Sequence, residues 1–281
     1  SLQPDACTLQ NIRVFERPKM PDPPPSASRR ELLSSLNPTR GFEKHDSQEI
    51  SPAKLRIQPS AGVTVRLSAR VMACDFSVIM NPGPTEQIEA AGEALEIVNV
   101  IEGWLSIYRD SSELSIVNRM AGEAAVHVRR ELFELLQKAF EIHIRTDGAF
   151  DMATGSLTRL WRTCRRENRI PFQAEIDFAL QHAGLKHVEL VAESQSVAFR
   201  HPGIVLDPGA IGKGYALDEA RVWLEKLAHG PSSFLLHGGH SSLIGQGEHN
   251  GHAGWPVGIG NPLFTEKRLG TLLLCDQAMA T

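Results

Sequence analysis

The chain has 281 residues, with 29 Lys+Arg against 33 Asp+Glu for a net charge of −4, and 42% of it is hydrophobic. That length suits one large domain or two small ones, with enough apolar content for a core that needs no staples. No stretch reaches the roughly 20 apolar residues of a membrane-spanning helix, the acidic balance argues against a nucleic-acid partner, and Cys7, Cys74, Cys164 and Cys275 make no CxxC pair of a disulfide scaffold or zinc ribbon.

The first 60 residues stand apart. Nine of the 17 prolines fall there, against one of the 23 glycines, Gly41. The run Pro21-Asp22-Pro23-Pro24-Pro25 fixes φ and removes backbone donors, which favours an extended, solvated chain. One short helix is expected over 29–36, opened by Ser28 and ended at Asn37-Pro38. Residues 1–65 read as a Pro-rich arm or linker and 66–281 as the folded domain. The arm either wraps that domain, packs on a partner subunit or is partly disordered.

Val63, Val65 and Leu67 alternate at period two, and 71–80 reads as a second strand stopped by Asn81-Pro82-Gly83. Ile88, Ala91, Leu95, Val98, Ile101 and Leu105 mark a long amphipathic helix. A second helix carries Leu132, Leu135, Leu136, Ala139 and Phe140, and a third is expected over 174–182, stopped by Gly184. Strands are predicted at 187–191, 197–199 and 204–206, followed by a helix from Ile211 to about Ala228. Short β segments recur at 233–236, 241–244, 256–259 and 269–274. Helices cluster early and strands late, which predicts an α+β fold rather than repeated βαβ units.

Three segments carry chemistry. In Asp207-Pro208-Gly209-Ala210-Ile211-Gly212-Lys213-Gly214-Tyr215-Ala216-Leu217-Asp218, a strand runs through glycines and a lysine into a helix. Glycines let backbone N–H groups approach an anion, the helix N-terminus favours negative charge, and Lys213 offers a point charge to a phosphate. The spacing fits neither a Walker A loop nor GxGxxG, and a Gly-rich turn with a surface lysine remains the plain alternative. The segment 146–155 places Asp147 and Asp151 four apart among small residues, suited to a flat ligand or to an Asp-Gly turn and helix cap. His237/His240 and His249/His252 form two HxxH pairs, readable as a zinc or copper site or as loop histidines beside a glycine turn. Ser115, Ser241 and Cys74 are nucleophiles by chemistry only, because no Gly-x-Ser-x-Gly elbow occurs.

The order of these segments resembles the ApbE family of FAD:protein FMN transferases. The likeness runs from about Arg70 to Thr281. It starts at Val71-Met72-Ala73-Cys74, where the family usually has Met-Gly-Thr, and passes through Tyr108 and Ser112-Glu113-Leu114-Ser115-Ile116-Val117-Asn118. It continues through Thr146-Asp147-Gly148-Ala149-Phe150-Asp151, Thr154-Gly155-Ser156-Leu157 and Leu160-Trp161 to the 207–218 loop. Gly238-Gly239, Trp255-Pro256-Val257-Gly258-Ile259 and Ala278-Met279-Ala280-Thr281 close the series.

The resemblance implies an ApbE-like, T-fold-like mixed sheet with packed helices. It implies FAD as substrate, Mg²⁺ at its diphosphate, and transfer of FMN to a threonine hydroxyl of a target flavoprotein. Carried over by position, Met72, Tyr108, Ala149, Phe150, Asp151, Asp207 and Lys213 would bind FAD, and the Ala210 carbonyl would be a metal ligand. The family's catalytic histidine, in His-x-x-Asp-Pro-x-x-Gly, and a later Asp and Thr follow the position of Thr281. Transfer by these 281 residues alone is therefore expected to be impaired, whether the sequence is a piece of a longer chain or a degenerate paralogue. The alternative is a non-catalytic FAD-binding or flavin-scavenging protein. Family members are often periplasmic or anchored at the cell envelope. Here no lipobox surrounds Cys7, no signal peptide is visible, and the oligomeric state is left open.

Overall fold

The computed structural model describes residues 63–281 apart from 240 and 265. Residues 1–62 of the Pro-rich arm, with Cys7 and the helix expected over 29–36, and His240 lie outside the described residues. In chain order the elements open with β1 (Val65–Val71), β2 (Cys74–Met80), α1 (Glu86–Leu105) and α2 (Glu113–Met120). Next come β3 (Val126–His127), α3 (Arg130–Arg145), α4 (Gly155–Arg166), α5 (Gln173–Gln181), β4 (Val188–Val191) and β5 (Ser196–Phe199). The last are α6 (Gly212–Lys226), β6 (Phe234–Gly238), β7 (Ser242–Gln246), β8 (Trp255–Gly260), β9 (Arg268–Leu274) and β10 (Gln277–Ala280). The fold is α+β, as the pattern of helices and strands predicts.

The central sheet has the order β1-β2-β6-β7-β10, with every neighbouring pair antiparallel. Period-two alternation sends successive side chains to opposite faces, and β6 is buried on both. Phe234 and Leu236 join the large core, while Leu235 joins a second cluster with Leu243, Trp255, Val257 and Leu274. The hairpin β8–β9 supplies the last three of those residues and so covers one face of the sheet. Helices α1 and α6 pack on the sheet and on each other. Alanines let them approach closely: Ala91 and Ala94 on α1, and Ala216 and Ala220 on α6, are all buried. The two helices run antiparallel. Trp104 meets Tyr215 edge-on at 5.9 Å, and further along Trp223 Nε1 donates to Glu93 at 3.1 Å. The C-terminal end of α1 therefore meets the N-terminal end of α6. Beside them a small sheet, β3-β5-β4, packs with α2 and α3 around the remaining apolar residues, while α4 and α5 pack on each other.

Four expectations change. The strand predicted over 71–80 is interrupted: Val71 ends β1 opposite Cys74, and Met72-Ala73 form a two-residue turn. Both turn residues have positive φ, 51° and 59°, the conformation of a type I′ hairpin that normally selects Asn-Gly. The usual turn signal is absent, so periodicity ran through it. Residues 204–206 are extended and buried but pair with no strand, and α2 and α4 were not anticipated from apolar spacing. Both helices are short, and α4 is strongly basic, so only Gly155 and Cys164 on it are buried. The short strands β3 and β10 were also not anticipated. No helix among the described residues is long and apolar enough to cross a membrane.

Candidate functional site

Where α1 ends and α6 begins, a cavity of about 250 Å³ opens. It is walled by the β1–β2 turn (Met72, Ala73), the end of α1 with the loop after it (Glu102, Leu105, Ser106, Ile107, Tyr108), Arg162 of α4, and the 207–213 loop. Four residues singled out in the sequence, Met72, Tyr108, Asp207 and Lys213, line this cavity.

The floor is built by backbone geometry. Asp207 accepts from Gly209 N through Oδ1 (2.9 Å), which ties off a single 3₁₀ turn, Pro208–Ala210. Pro208 suits the first position of that turn because its missing N–H would be unpaired there anyway. Helix α6 then starts at Gly212, which packs close to Leu105 of α1. The first N–H groups of α6 have no intrahelical acceptor and carry the positive end of the helix dipole. Lys213 sits on this first turn. It also acts on Cys74: burial pushes the Cys74 thiol up, and the Lys213 ammonium pulls it the other way. Gly239 lies against the same cysteine with φ 65°, and a Cβ there would come within 2.9 Å of the Cys74 sulfur.

The upper wall carries charge and an aromatic ring. Tyr108 is 72% exposed, and the Arg162 guanidinium lies over its ring at 5.3 Å. Arg162 also faces Asp207 Oδ2 at 4.0 Å, and Arg109 pairs with Glu102 at 2.9 Å. The site thus presents a flat aromatic face beside a cation, next to a helix start with a lysine. That combination recognises an aromatic ring joined to phosphate groups.

Helix α2 holds two of the walls in place. Ser112 caps it, accepting from Ser115 N at 3.1 Å, and donates its own hydroxyl to Ser106 O. Ser115 donates to the same carbonyl at 3.1 Å, so its hydroxyl braces the loop that bears Tyr108. Three residues on, Asn118 Nδ2 donates to Leu206 O (2.9 Å) and its Oδ1 accepts from Leu206 N (2.8 Å). The Asn118 side chain therefore replaces the missing strand partner of residues 204–206. Gly155 N and Asp207 N complete that pairing, donating to Val205 O (3.0 Å) and Met152 O (2.8 Å). A Cβ on Gly155 would come within 2.6 Å of Val205 O, which is why the chain needs glycine there.

The other sequence-derived candidates sit elsewhere. Asp151 accepts from Ala153 N (2.7 Å) and Leu185 N (3.0 Å) and stands 3.5 Å from His143 Nδ1. Phe150 packs against the core, its carbonyl held by His143 Nδ1 at 2.8 Å, and Ala149 is exposed in the turn before it. These three residues flank the 152–155 segment that clamps 205–207 but do not line the cavity. Ala210 is exposed in the 3₁₀ turn, and among the described residues no group of three or more His, Cys, Asp or Glu is placed to hold a metal. His249 is buried, stacked on Trp255 at 4.2 Å and bonded to Asn81. Sequence reasoning missed Ser106 and Arg162, and the roles of Ser112, Ser115 and Asn118. The Ser-x-x-Ser-x-x-Asn spacing was the signal for the last three, since it puts all three on one side of a helix.

Comparison with known proteins identifies the family. The sequence model of the ApbE family matches residues 62–281. The FAD:protein FMN transferase of Klebsiella pneumoniae (strain 342) is 30% identical over 192 residues, 68% of this chain and 58% of that protein. Its counterpart in Treponema pallidum (strain Nichols) is 31% identical over 198 residues, 66% of this chain and 54% of that protein. The chain spans a little over half the length of these curated relatives. Among solved structures, the ApbE protein of Thermotoga maritima has a TM-score of 0.69 at 26% identity, covering 77% of this chain and 69% of that one. The flavin transferase ApbE of Vibrio cholerae shares the fold, with a TM-score of 0.67 at 21% identity over 77% of this chain and 70% of that one.

Proposed function

This chain belongs to the ApbE family, and on that premise we propose that it binds FAD between α1 and α6 and transfers FMN from it to a threonine of a target flavoprotein. The observation that carries the reading is the meeting of Tyr108, Asp207 and Lys213 at the start of α6. The diphosphate would lie on the N–H groups of α6 and the Lys213 ammonium, which favour negative charge at that point. Tyr108 and Arg162 would take a ring of the dinucleotide, and Met72 would close the cavity from the β1–β2 turn. Asp207 keeps the 3₁₀ turn tight, so the α6 donors are oriented before the substrate arrives, and such positioning is most of what a protein contributes to phosphoryl transfer. In the transfer, the threonine hydroxyl oxygen bonds to the FMN phosphorus and the bond from that phosphorus to the bridging oxygen breaks. AMP leaves with that oxygen, and the hydroxyl proton is lost. Ala149, Phe150 and Asp151 belong, in this reading, to the support of the 205–207 wall.

Mg²⁺ commonly binds through substrate phosphates and only one or two protein oxygens. No group of three or more His, Cys, Asp or Glu is placed to hold it among the described residues, so the substrate diphosphate would supply most of its ligands and the Ala210 carbonyl would be its protein ligand. The same observation favours one second reading, FAD binding without transfer. The test incubates the protein with FAD, Mg²⁺ and a threonine-bearing acceptor, followed by mass analysis of the acceptor and assay of released AMP. A gain equal to FMN minus water on threonine is the expected result, slow with these 281 residues alone and faster in a chain extended by the family's histidine segment. Tight FAD binding by the extended chain with neither AMP nor a modified acceptor establishes the second reading, and absence of FAD binding overturns both.

A further inference from the structure

Next to the FAD cavity, and sharing Arg162 with it, a larger groove of about 680 Å³ runs along α4. Thr154, Thr158, Trp161, Arg162, Arg165 and Arg169 line it. These positions recur at the three- and four-residue spacing that puts side chains on one helical face. The segment 159–169 holds five arginines and one glutamate, net +4, in a chain whose net charge is −4. Arg169 is already occupied by Glu167 and Glu175, at 2.5 and 2.7 Å. Among the described residues, Arg165 pairs with no carboxylate, and Arg162 meets only Asp207 at 4.0 Å. Trp161 is 52% exposed beside them. An exposed indole flanked by unneutralised guanidinium groups is an unusual surface unless something anionic covers it, because tryptophan and arginine are the residues that anchor interfaces.

We propose that this groove docks an acidic segment of the acceptor polypeptide and so presents its threonine to the neighbouring cavity. The inference rests on the transferase reading for its purpose, but on the groove's own charge and shape for its existence. The twelve residues of α4 are about 18 Å long, which an extended peptide of about six residues spans. Arg162 at the boundary faces both compartments, so a peptide seated on Arg165 reaches the edge of the FAD site. A carboxylate-bearing peptide matches the fork of an arginine, and its charge steers encounter toward the basic α4 segment of a protein that is otherwise acidic.

The test uses the full chain and fluorescein-labelled peptides of about ten residues around one threonine, one rich in Asp and Glu and one with Asn and Gln in their place. Polarisation is read at low and at physiological salt. We expect the acidic peptide to bind more tightly, to weaken with salt as exposed charges are screened, and to lose about tenfold in affinity in Arg165→Glu. FAD affinity should stay unchanged in that variant, since Arg165 does not line the FAD cavity. The milder Arg165→Gln gives a smaller loss in the same direction and guards against a folding defect. Equal binding of both peptides, or charge reversal without effect, overturns the proposal. Displacement of the peptide by AMP or by a single-stranded oligonucleotide reassigns the groove to nucleotides and also overturns it. Because peptide and FAD binding are read separately, failure of the FAD reading leaves this outcome distinct.

Discussion

At the scale of single residues, the site is set by a lysine, a strained turn and a carboxamide. Lys213 stands on the first turn of α6, where its charge adds to the helix dipole. Lys213→Ala should weaken FAD binding by about tenfold, the equivalent of about 1.4 kcal/mol, with little change in melting temperature. Titration calorimetry alongside thermal unfolding checks this, and unchanged affinity removes Lys213 from the site. Ala73 carries the opposite lesson. Its φ of 59° forces an L-residue into a conformation that costs about 1–2 kcal/mol and that glycine adopts freely. Ala73→Gly should raise stability by about 0.5–1 kcal/mol, after the extra freedom glycine gives the unfolded chain is subtracted. Denaturant unfolding measures the gain, and destabilisation would show that the turn is not under strain. Met72, the other strained residue, lines the cavity, so the hairpin holds strain where the ligand would sit.

At the scale of elements, α2 and the α4–α5 corner organise the walls. Asn118 exchanges two hydrogen bonds with Leu206 across 88 positions. Asn118→Leu keeps the volume but leaves a buried N–H and a carbonyl unpaired, and should cost about 2–4 kcal/mol. It should also lower FAD affinity, because the freed segment leads directly into Asp207. A drop in stability with native affinity would confine Asn118 to the fold. At the other corner, Glu175 accepts from Phe172 N (2.8 Å) at the start of α5 and from both terminal nitrogens of Arg169 (2.7 and 2.9 Å). The Arg169 guanidinium, helped by that backbone N–H, holds the Glu175 carboxyl down at about 2 against an ordinary 4.5. A folded value below the unfolded one means the pair stabilises the protein fully above pH 4.5 and loses that contribution as pH falls from 4.5 to about 2. A carboxyl carbon titration by NMR should place Glu175 near the lower limit, and Arg169→Gln should return it toward the ordinary value. A Glu175 midpoint near 4.5 in the unaltered protein would show that the pair does not form in solution.

At the scale of the whole molecule, the sheet is a wall with two cores, and β6 joins them. Leu236 faces the α1–α6 side and is 1% exposed. Leu236→Ala should cost about 2–5 kcal/mol through lost transfer energy and a cavity. Because the FAD site lies where α1 and α6 meet, the loss should appear in denaturant midpoints and in reduced FAD affinity near the transition. A cost below about 1 kcal/mol, within the range of surface substitutions, would place this side chain outside a tight core. The sequence by itself determined the long helices and most of the strands, because period-two and 3.6-residue patterns are local records of which face is buried. It also determined the glycine–lysine loop that opens α6, since the chemistry there resides in consecutive residues. Only the tertiary structure decided that 204–206 pairs with a side chain rather than a strand, and that a basic helix brings Arg162 onto Tyr108. It alone turned Met72-Ala73 into a strained wall of the cavity. Each of these depends on atoms far apart in the chain or on a turn without its usual residues, and such contacts leave no periodic trace. Packing of α1 against α6 puts them around one site.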